Sequence, residues 1–434
     1  MWILFVNSGG KMTSSYSFHR AQMCLGRVLT AVVLLTAARG ASITQEALRG
    51  HQVWEVSGGL VPHHLVMTGL VDPLDHSGLS RSIRVAPEFA SKVKESLHRA
   101  DLTYRILVHD LSTYLKEEEV REGRSRRDAE NITCTCSSCL EPLHSQYMSF
   151  CQIERFLADM AQTYPDRINV TSIGKSVEGR DIWLAHLKPT NPLDKSIWVE
   201  AGLHAREWIS PAVALHLIHR LIHNSSMAGI DAFIIPMANP DGYVYTWTTN
   251  RFWRKNRRIL ASNCDGVDLN RNWDFHFGVG ASTDPCSEVY KGPSAFSEPE
   301  TRALRDAMLK EKDNMVLVLA LHSYGQSLLY PWGWSKTVQA PGRDELIATG
   351  KVFTFAAKKA TDVKYNVINS AGDFYFASGA TDDWALGMLK TKYAYTLELR
   401  DKGTWGFSLP SDNIADCSEE VWQGLNAMVN DIVS

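Results

Sequence analysis

The sequence predicts an α/β protein in which one large domain follows a smaller module. Segments with helical spacing alternate with strand-like segments over about 300 residues, a pattern that favours a buried sheet. The chain has 434 residues, 44% of them hydrophobic, and a formal net charge of −3 at pH 7. This composition excludes disorder as the main state. The near-neutral charge gives no electrostatic reason to expect a nucleic acid or a membrane surface as partner.

Residues 1–40 have the features of a secretory signal peptide. Arg20 and Arg27 precede an apolar run over 28–38, and small residues follow at the two positions that a signal peptidase reads. At about 1.5 Å per residue, this run is too short to cross a hydrocarbon core of about 30 Å. We therefore predict a secreted, extracellular protein without a membrane anchor. Three methionines are candidate starts: Met1, Met12 and Met23.

Sequons and cysteines agree with secretion. Acceptor sequons begin at three positions: Asn131, Asn169 and Asn224. The chain has eight cysteines, and seven remain once Cys24 leaves with the signal peptide, so at least one thiol is free or pairs between chains. Four of them are clustered: Cys134, Cys136, Cys139 and Cys151. The cluster lacks the second paired knuckle of a zinc site, so an oxidising compartment favours disulfides over a metal.

A small module precedes residue 120. Its pattern predicts a strand over 51–56, a helix over 87–98, a strand over 104–108 and a second helix from Leu111. The polar, basic stretch 121–127 follows without periodicity, as is typical of a protease-accessible linker. A solvated, charged helix end is the alternative interpretation of these residues. The secreted context favours an activation cleavage after Arg127.

The region beyond the linker alternates between helices and strands. Helical spacing occurs over 150–164, 208–223, 298–310, 346–360 and 419–432. Strand-like segments lie at 182–187, 197–203, 232–236, 316–321 and 393–399. This order predicts one large α/β domain with a buried sheet.

Two of these strands run into residues that bind metals in proteins. His204 and Glu207 lie three apart where an apolar strand turns into a helix, close enough to converge on one ion. His322 follows the strand over 316–321 at its carboxyl end, where open α/β sheets have their sites. An H-x-x-E pair alone is common, and a capping carboxylate near a core histidine is the alternative.

Several separated motifs accompany this pair. They are His204-Ala-Arg-Glu-Trp, Asn239-Pro-Asp-Gly, Asn250-Arg-Phe-Trp-Arg254-Lys, Asp268-Leu-Asn270-Arg271-Asn-Trp-Asp, His322-Ser-Tyr324, Tyr375-Phe-Ala-Ser-Gly and Glu398-Leu-Arg-Asp. In content and order they resemble the zinc metallocarboxypeptidases of the pancreatic A/B type, most closely the B type. The resemblance covers nearly everything after residue 140.

The resemblance implies a fold and a domain order. It implies a mixed central sheet flanked by helices, preceded by a small α+β open-sandwich prosegment that covers the cleft until it is removed. The domains would be a signal peptide over 1–40, an activation prosegment over 41–127 and a catalytic domain over 128–434. Cys264 and Cys286 match the position of a family disulfide. A trypsin-like protease would activate the zymogen.

The same resemblance implies a role for each motif residue. One Zn²⁺ would be held by His204, Glu207 and His322, with Glu398 as the general base and Arg254 as the group that stabilises the oxyanion. The C-terminal carboxylate of a peptide would be gripped by Asn270, Arg271 and Tyr375. Three further residues would contact substrate: Arg206, Ser323 and Tyr324.

Specificity rests on Asp382. The family has the floor of its side-chain pocket seven residues beyond Tyr375, which is Asp382 here. A buried carboxylate there would pair with a Lys or Arg side chain, so we predict release of basic C-terminal residues. The alternative interpretation of Asp382 is a solvated loop aspartate. The alternative functions are an A-type carboxypeptidase that prefers apolar or aromatic C-terminal residues, or a non-catalytic peptide-binding relative. The basic, aromatic stretch 251–258 could be a nucleic-acid patch if taken alone, but the signal peptide and the neutral charge argue against that partner.

Overall fold

The computed structural model describes residues 48–59, 61–62, 65, 70–73, 82–114, 141–223, 229–260 and 264–434. Several predicted features lie outside these ranges. They are the signal peptide, the linker 121–127, the sequons at Asn131 and Asn224, and Cys134, Cys136 and Cys139. Asn169 is described, and its side chain is exposed on a strand at the edge of the main sheet.

The front module is an antiparallel sheet packed against one helix. Its strands occur in the order β2-β3-β1-β4: β1 (Gln52–Ser57), β2 (Val71–Pro73), β3 (Ser82–Val85) and β4 (Thr103–Val108). Helix α1 (Ala90–Arg99) follows a short 3₁₀ turn and buries Val93 and Leu97 against Trp54 and Ile83 of the sheet. The predicted small open sandwich is therefore confirmed.

The front module contacts the large domain through aromatic side chains. The Tyr114 hydroxyl donates to the Ser408 carbonyl at 2.9 Å, and its ring stacks on Trp405 with 5.7 Å between centroids. Phe252 packs against a small cluster around Leu48 and Leu111. Module and domain belong to one compact unit.

The large domain is built on an eight-stranded mixed sheet. The strand order is β11-β10-β12-β9-β7-β8-β6-β5. The strands are β5 (Ile168–Lys175), β6 (Asp181–Leu187), β7 (Ser196–Glu200), β8 (Asp231–Ile235), β9 (Met315–His322), β10 (Ser327–Tyr330), β11 (Asn366–Asn369) and β12 (Tyr393–Glu398). The central strands β12, β9, β7 and β8 pair in parallel, whereas β5, β6 and β8 pair antiparallel.

Helices flank this sheet. They are α2 (Phe150–Thr163), α3 (Ile209–His223), α4 (Pro240–Thr248), α5 (Pro299–Glu311), α6 (Arg343–Thr361), α7 (Thr381–Trp384) and α8 (Ile414–Val433). Helix α2 begins at a capping box in which Ser149 and Gln152 satisfy each other's backbone N–H groups. The predicted mixed α/β fold is confirmed. Strand β7 ends at Glu200, earlier than predicted, and α8 begins at Ile414, before the predicted 419.

Three parallel strands end at one edge of the sheet. Strands β7, β9 and β12 end at Glu200, His322 and Glu398, and Glu398 pairs in register with His322. Because parallel strands have their carboxyl ends on the same side, the residues after β7 meet those at the ends of β9 and β12.

The cysteines divide between disulfides and one buried thiol. Cys264 and Cys286 form a disulfide, the pairing that the resemblance implied. Cys151 is also disulfide-bonded, which agrees with the preference for disulfides over a metal. Among the described residues, Cys417 is free and buried.

A helix that crosses a bilayer needs about 20 consecutive, mainly apolar residues. Within the described part of the chain, no helix combines the length and the apolar character needed to cross one.

Candidate active site

Two histidines and a glutamate converge at the carboxyl edge of the sheet. His204 and Glu207 lie in the turn between β7 and α3, and His322 ends β9. Nδ1 of His204 lies 2.8 Å from Oε1 of Glu207 and 3.0 Å from Nδ1 of His322, which is 3.0 Å from Oε2 of Glu207. All three side chains are buried, and these atoms lie within 4.8 Å of one another. The structure therefore brings the three predicted metal ligands together.

Two polar side chains orient the histidine rings from behind. Nε2 of His204 lies 3.0 Å from Oδ1 of Asp268, and Nε2 of His322 lies 3.3 Å from Nδ2 of Asn270. These contacts engage the outer nitrogens and leave both Nδ1 atoms facing the centre. Asp268 was not among the residues predicted to act at the site. Its place in the Asp268-Leu-Asn270-Arg271 motif was the available signal.

The charges around the ligand atoms shift the pKa values of the three side chains in different directions. Burial alone would raise the pKa of Glu207, but the neighbouring His204 and His322 lower it below its ordinary value. Burial and the nearby Arg254 lower the pKa of His204. Burial alone would lower the pKa of His322, but the Glu207 carboxylate raises it. A carboxylate and neutral imidazoles are the forms in which these side chains bind metals.

Arg254 lies against the cluster formed by His204, Glu207 and His322, here called the ligand cluster, and is fully buried. Its Nε and Nη2 donate to Oδ2 of Asp268 at 3.1 and 2.8 Å. Its Nη1 is turned toward the cluster, 3.2 Å from Nδ1 of His204 and 3.8 Å from Oε1 of Glu207. Asp268 therefore orients Arg254 as well as His204.

Glu398 faces the same space. Its side chain is only 7% exposed and lines a pocket that is also lined by His204, Glu207 and His322. Burial and, next, the Glu207 carboxylate raise the pKa of Glu398 to about 8. A carboxyl group with a raised pKa in a cleft is a candidate proton acceptor.

A buried guanidinium forms another wall of the pocket. Arg271 is 1% exposed, and its Nη1 donates to the Asn270 carbonyl at 2.7 Å. Its Nε has no hydrogen-bond partner, and it forms no ion pair with any carboxylate of the described residues. The Tyr375 ring lies 5.6 Å from the guanidinium carbon. A buried cation without a counter-ion is costly unless an anion joins it.

The pocket contains an acidic group on another side. Asp382, on the short helix α7, is 2% exposed and lines the pocket beside Ala380 and Thr396. Its Oδ1 accepts from the Asp383 backbone N–H at 2.9 Å, whereas Oδ2 has no partner among the described residues. Burial raises the pKa of Asp382. The interpretation of Asp382 as a solvated loop aspartate is therefore wrong.

The three remaining predicted substrate contacts lie near the ligand cluster. The Ser323 backbone N–H donates to Oε2 of Glu207 at 3.2 Å. Tyr324 packs edge-on against Phe407, with 5.0 Å between centroids. Arg206 lies over the Phe407 ring at 4.3 Å and pairs with Glu288 at 3.2 Å.

The arginines of the stretch 251–258 make contacts within the protein. The Arg251 guanidinium lies 3.8 Å from the Trp208 ring centroid and donates to the carbonyls of Arg206 and Phe407. Arg258 donates to the buried Glu298 at 2.7 Å. These contacts give the stretch a structural role.

Comparison with known proteins agrees with this arrangement. A family model described as zinc carboxypeptidase matches residues 153–424, and one described as carboxypeptidase activation peptide matches residues 69–118. Carboxypeptidase B of Astacus astacus is 38% identical over 295 residues, which are 66% of this chain and 97% of that relative. Carboxypeptidase A1 of Bos taurus is 31% identical over 415 residues, which are 91% of this chain and 96% of that relative.

Solved structures extend the match to the whole fold. The structure of thrombin activatable fibrinolysis inhibitor matches with a TM-score of 0.77 and 28% identity, covering 89% of this chain and 99% of that one. Carboxypeptidase A from Helicoverpa armigera matches with a TM-score of 0.76 and 27% identity, covering 89% and 98%. The chain therefore belongs to the zinc carboxypeptidases and carries the activation peptide of a zymogen.

Proposed function

We propose that this carboxypeptidase is secreted as a zymogen and removes C-terminal Lys and Arg from peptides. The proposed domains are a signal peptide over 1–40, a prosegment over 41–127 and a catalytic domain over 128–434. A trypsin-like protease would cut after Arg127, because 121–127 contains several basic residues. The observation that carries the specificity is the buried Asp382, whose Oδ2 has no partner among the described residues.

Zinc fits the donor set of the site. Ligands of a tetrahedral zinc at about 2.0–2.2 Å are separated by about 3.3 Å. The donor separations of 2.8–3.0 Å between His204, Glu207 and His322 are close to this value. When bound there, zinc supplies Lewis acidity toward a peptide carbonyl and lowers the pKa of a water.

Glu398 moves the proton in the proposed reaction. Its carboxylate accepts a proton from the attacking water and then donates it to the nitrogen of the leaving amino acid. The rise in its pKa through burial suits this task, because a base holds the proton better when its pKa lies near the working pH.

Arg254 stabilises the negative charge that develops on the carbonyl oxygen. Asp268 occupies Nε and Nη2, so Nη1 is the nitrogen directed toward the reacting groups. The guanidinium is held in place before the reaction. Such preorganised donors lower the activation barrier by about 3 kcal/mol in related cases.

Arg271 makes the enzyme an exopeptidase in this proposal. The terminal carboxylate of a peptide would supply the anion that this buried guanidinium lacks within the described residues. Asn270 and Tyr375 flank it and would add hydrogen bonds. An internal peptide bond offers no such charge, so cleavage is confined to the last residue.

Matched peptides that end in Arg and in Phe test the specificity. After trypsin treatment, the enzyme should release Arg with a kcat/KM about 10⁴-fold higher, the ratio expected for a pocket built around a specific polar partner. A zinc chelator should abolish the release of both. Asp382→Asn should remove the preference for Arg. Faster release of Phe by the unsubstituted enzyme would contradict the proposed specificity and favour the A-type alternative.

A further inference from the structure

A second buried carboxyl group lies beneath the specificity pocket. Glu200 is the last residue of β7 and is 1% exposed. It pairs in register with Ala320 of β9, which pairs with Thr396 of β12. Residues in one register row of a parallel sheet point to the same face. Because Thr396 lines the pocket, Glu200 lies on the pocket side of the sheet.

The polar atoms around Glu200 are incompletely paired. Its Oε2 accepts from Nε1 of Trp198 at 3.3 Å, whereas its Oε1 has no hydrogen-bond partner among the described residues. The nearby Thr381 hydroxyl partly offsets the rise in the pKa of Glu200 that burial causes, whereas Oδ2 of Asp382 has no partner among the described residues. Buried carboxylate oxygens without partners are costly, so these two side chains suit a hydrogen-bond donor from a ligand.

The region is also rich in buried acidic groups. Three buried carboxyl groups lie near one another: Glu200, Asp382 and Asp383. Within the described ranges, none forms an ion pair with Lys or Arg. Asp383 uses both oxygens to accept from the Gly333 and Trp334 backbone N–H groups. The side chains of Glu200 and Asp382 are therefore the two that remain available to interact with a ligand. Burial raises the pKa of both groups, as expected for carboxyls that lack a cation.

We propose that Glu200 is a second carboxylate of the specificity pocket, which lies behind Asp382 and strengthens the selection of a cationic C-terminal side chain. The inference rests on the proposed function, because it assumes that this side chain enters the pocket at Asp382. Burial favours the neutral form of Glu200, but a cation that enters the pocket favours the charged form. Because Glu200 lies behind the lining residues, it acts through this charge. It therefore favours a substrate side chain that ends in a guanidinium or an ammonium over an apolar one. It makes no contact with the peptide bond that is cleaved.

Glu200→Gln in the activated zinc enzyme tests this inference. The substitution keeps the size of the side chain and removes its charge. We expect kcat/KM for the Arg peptide to fall about tenfold relative to the Phe peptide, mainly through KM, the loss expected for one charge acting at second-layer distance. The ratio of the two peptides is measured on one preparation, so a loss of folded enzyme cancels.

Further variants separate a charge effect from a structural one. Glu200→Asp keeps the charge and should restore the preference to within about threefold of the original. Glu300→Gln removes another buried carboxyl, away from the pocket lining, and should leave the ratio unchanged. Glu200→Ser is a second neutral variant, to be used if Glu200→Gln does not fold.

The kinetic ratios distinguish failure of this inference from failure of the proposed function. If the unsubstituted enzyme prefers Arg and Asp382→Asn removes that preference, but Glu200→Gln and Glu200→Ser leave the ratio within twofold, Glu200 has no part in specificity. An equal fall in kcat/KM for the Arg and Phe peptides would also overturn the inference. If the unsubstituted enzyme prefers Phe, the proposed function itself fails.

Discussion

Asp268 shows how much one buried side chain contributes to the arrangement of the site. One of its oxygens contacts Nε2 of His204, and the other accepts from two nitrogens of Arg254. Burial alone would raise the pKa of Asp268, but Arg254 and His204 hold it well below its ordinary value. This carboxylate therefore stays charged while it positions the proposed metal ligand His204 and the proposed oxyanion donor Arg254 together.

Glu398→Gln should abolish proton transfer and keep metal binding. We expect kcat to fall by about 10²–10⁴, the usual contribution of a general base. Zinc content, measured after dialysis, should stay at one ion per chain, because the three proposed ligands are unchanged. A variant that retains most of its activity would show that another group takes the proton.

Arg271→Lys should weaken the grip on the terminal carboxylate. An ammonium cannot form the paired hydrogen bonds of a guanidinium, so we expect KM to rise about 10- to 100-fold with a smaller change in kcat. Steady-state kinetics on a peptide with a free terminal carboxylate would measure this. Arg305→Lys, at an arginine that pairs with Asp306 on α5, is the matched control and should behave like the unsubstituted enzyme. Equal effects of the two substitutions would contradict the proposal.

At the scale of elements, the long apolar strands were predictable from the sequence. Strands β9 and β12 are buried along nearly their whole length, so they appear as continuous apolar runs. Strands β5 and β10 were not predicted. The burial pattern of β5 does not alternate, and β10 has only four residues, too few for a period. Helix α4 was missed because its aromatic and β-branched residues favour strands, and its Asn239 cap resembles a turn.

The prediction of site residues from the sequence was limited in the same way as the prediction of strands and helices. Each motif residue could be predicted because its spacing matched a family pattern. The contacts made by Asp268 and Glu200 could not, because spacing along the chain does not show which acidic side chain faces a ring or a pocket. Glu200 is separated from Asp382 by more than half of the catalytic domain, and only the register of β7, β9 and β12 brings them to one face.

The disulfide closes a loop of the large domain that contains the buried Asp268 and Arg271. Cys264 and Cys286 are separated by 22 positions. Replacing both with Ser should lower the free energy of unfolding by about 3 kcal/mol, because the unfolded chain regains the entropy of that loop. Urea denaturation of the two proteins would measure the difference. A change below about 1 kcal/mol would contradict the expectation.

At the scale of the whole molecule, a histidine cluster makes stability depend on pH. Nδ1 of His216, on α3, lies 3.1 Å from Nδ1 of His144, and the rings of His219 and His223 follow along the same helix. Burial, followed by the nearby His144 and Arg220, lowers the pKa of His216 to about 3. Burial and the neighbouring His223 lower the pKa of His219 to about 4.

Acid should therefore destabilise the folded protein. Both histidines are neutral when folded and take up protons on unfolding, so their contribution is present above pH 6.5 and is lost as the pH falls toward 4 and then 3. The free energy of unfolding, measured by urea denaturation between pH 7 and pH 4.5, should fall. His216→Gln should flatten this slope, whereas substitution of the exposed His98 should not. An identical slope in both variants would exclude the cluster as the cause.

The pairing of Glu398 with His322 has a consequence for redesign. The two residues are neighbours on adjacent parallel strands, so backbone hydrogen bonds hold their α-carbons at about the 4.8 Å spacing of a sheet. Turns elsewhere in the domain can change in length without altering this spacing. A slip of one residue between β9 and β12 would turn Glu398 to the opposite face. Grafting new loops around the pocket should therefore change which peptides are cleaved and preserve the chemistry, provided that these two strands keep their alignment.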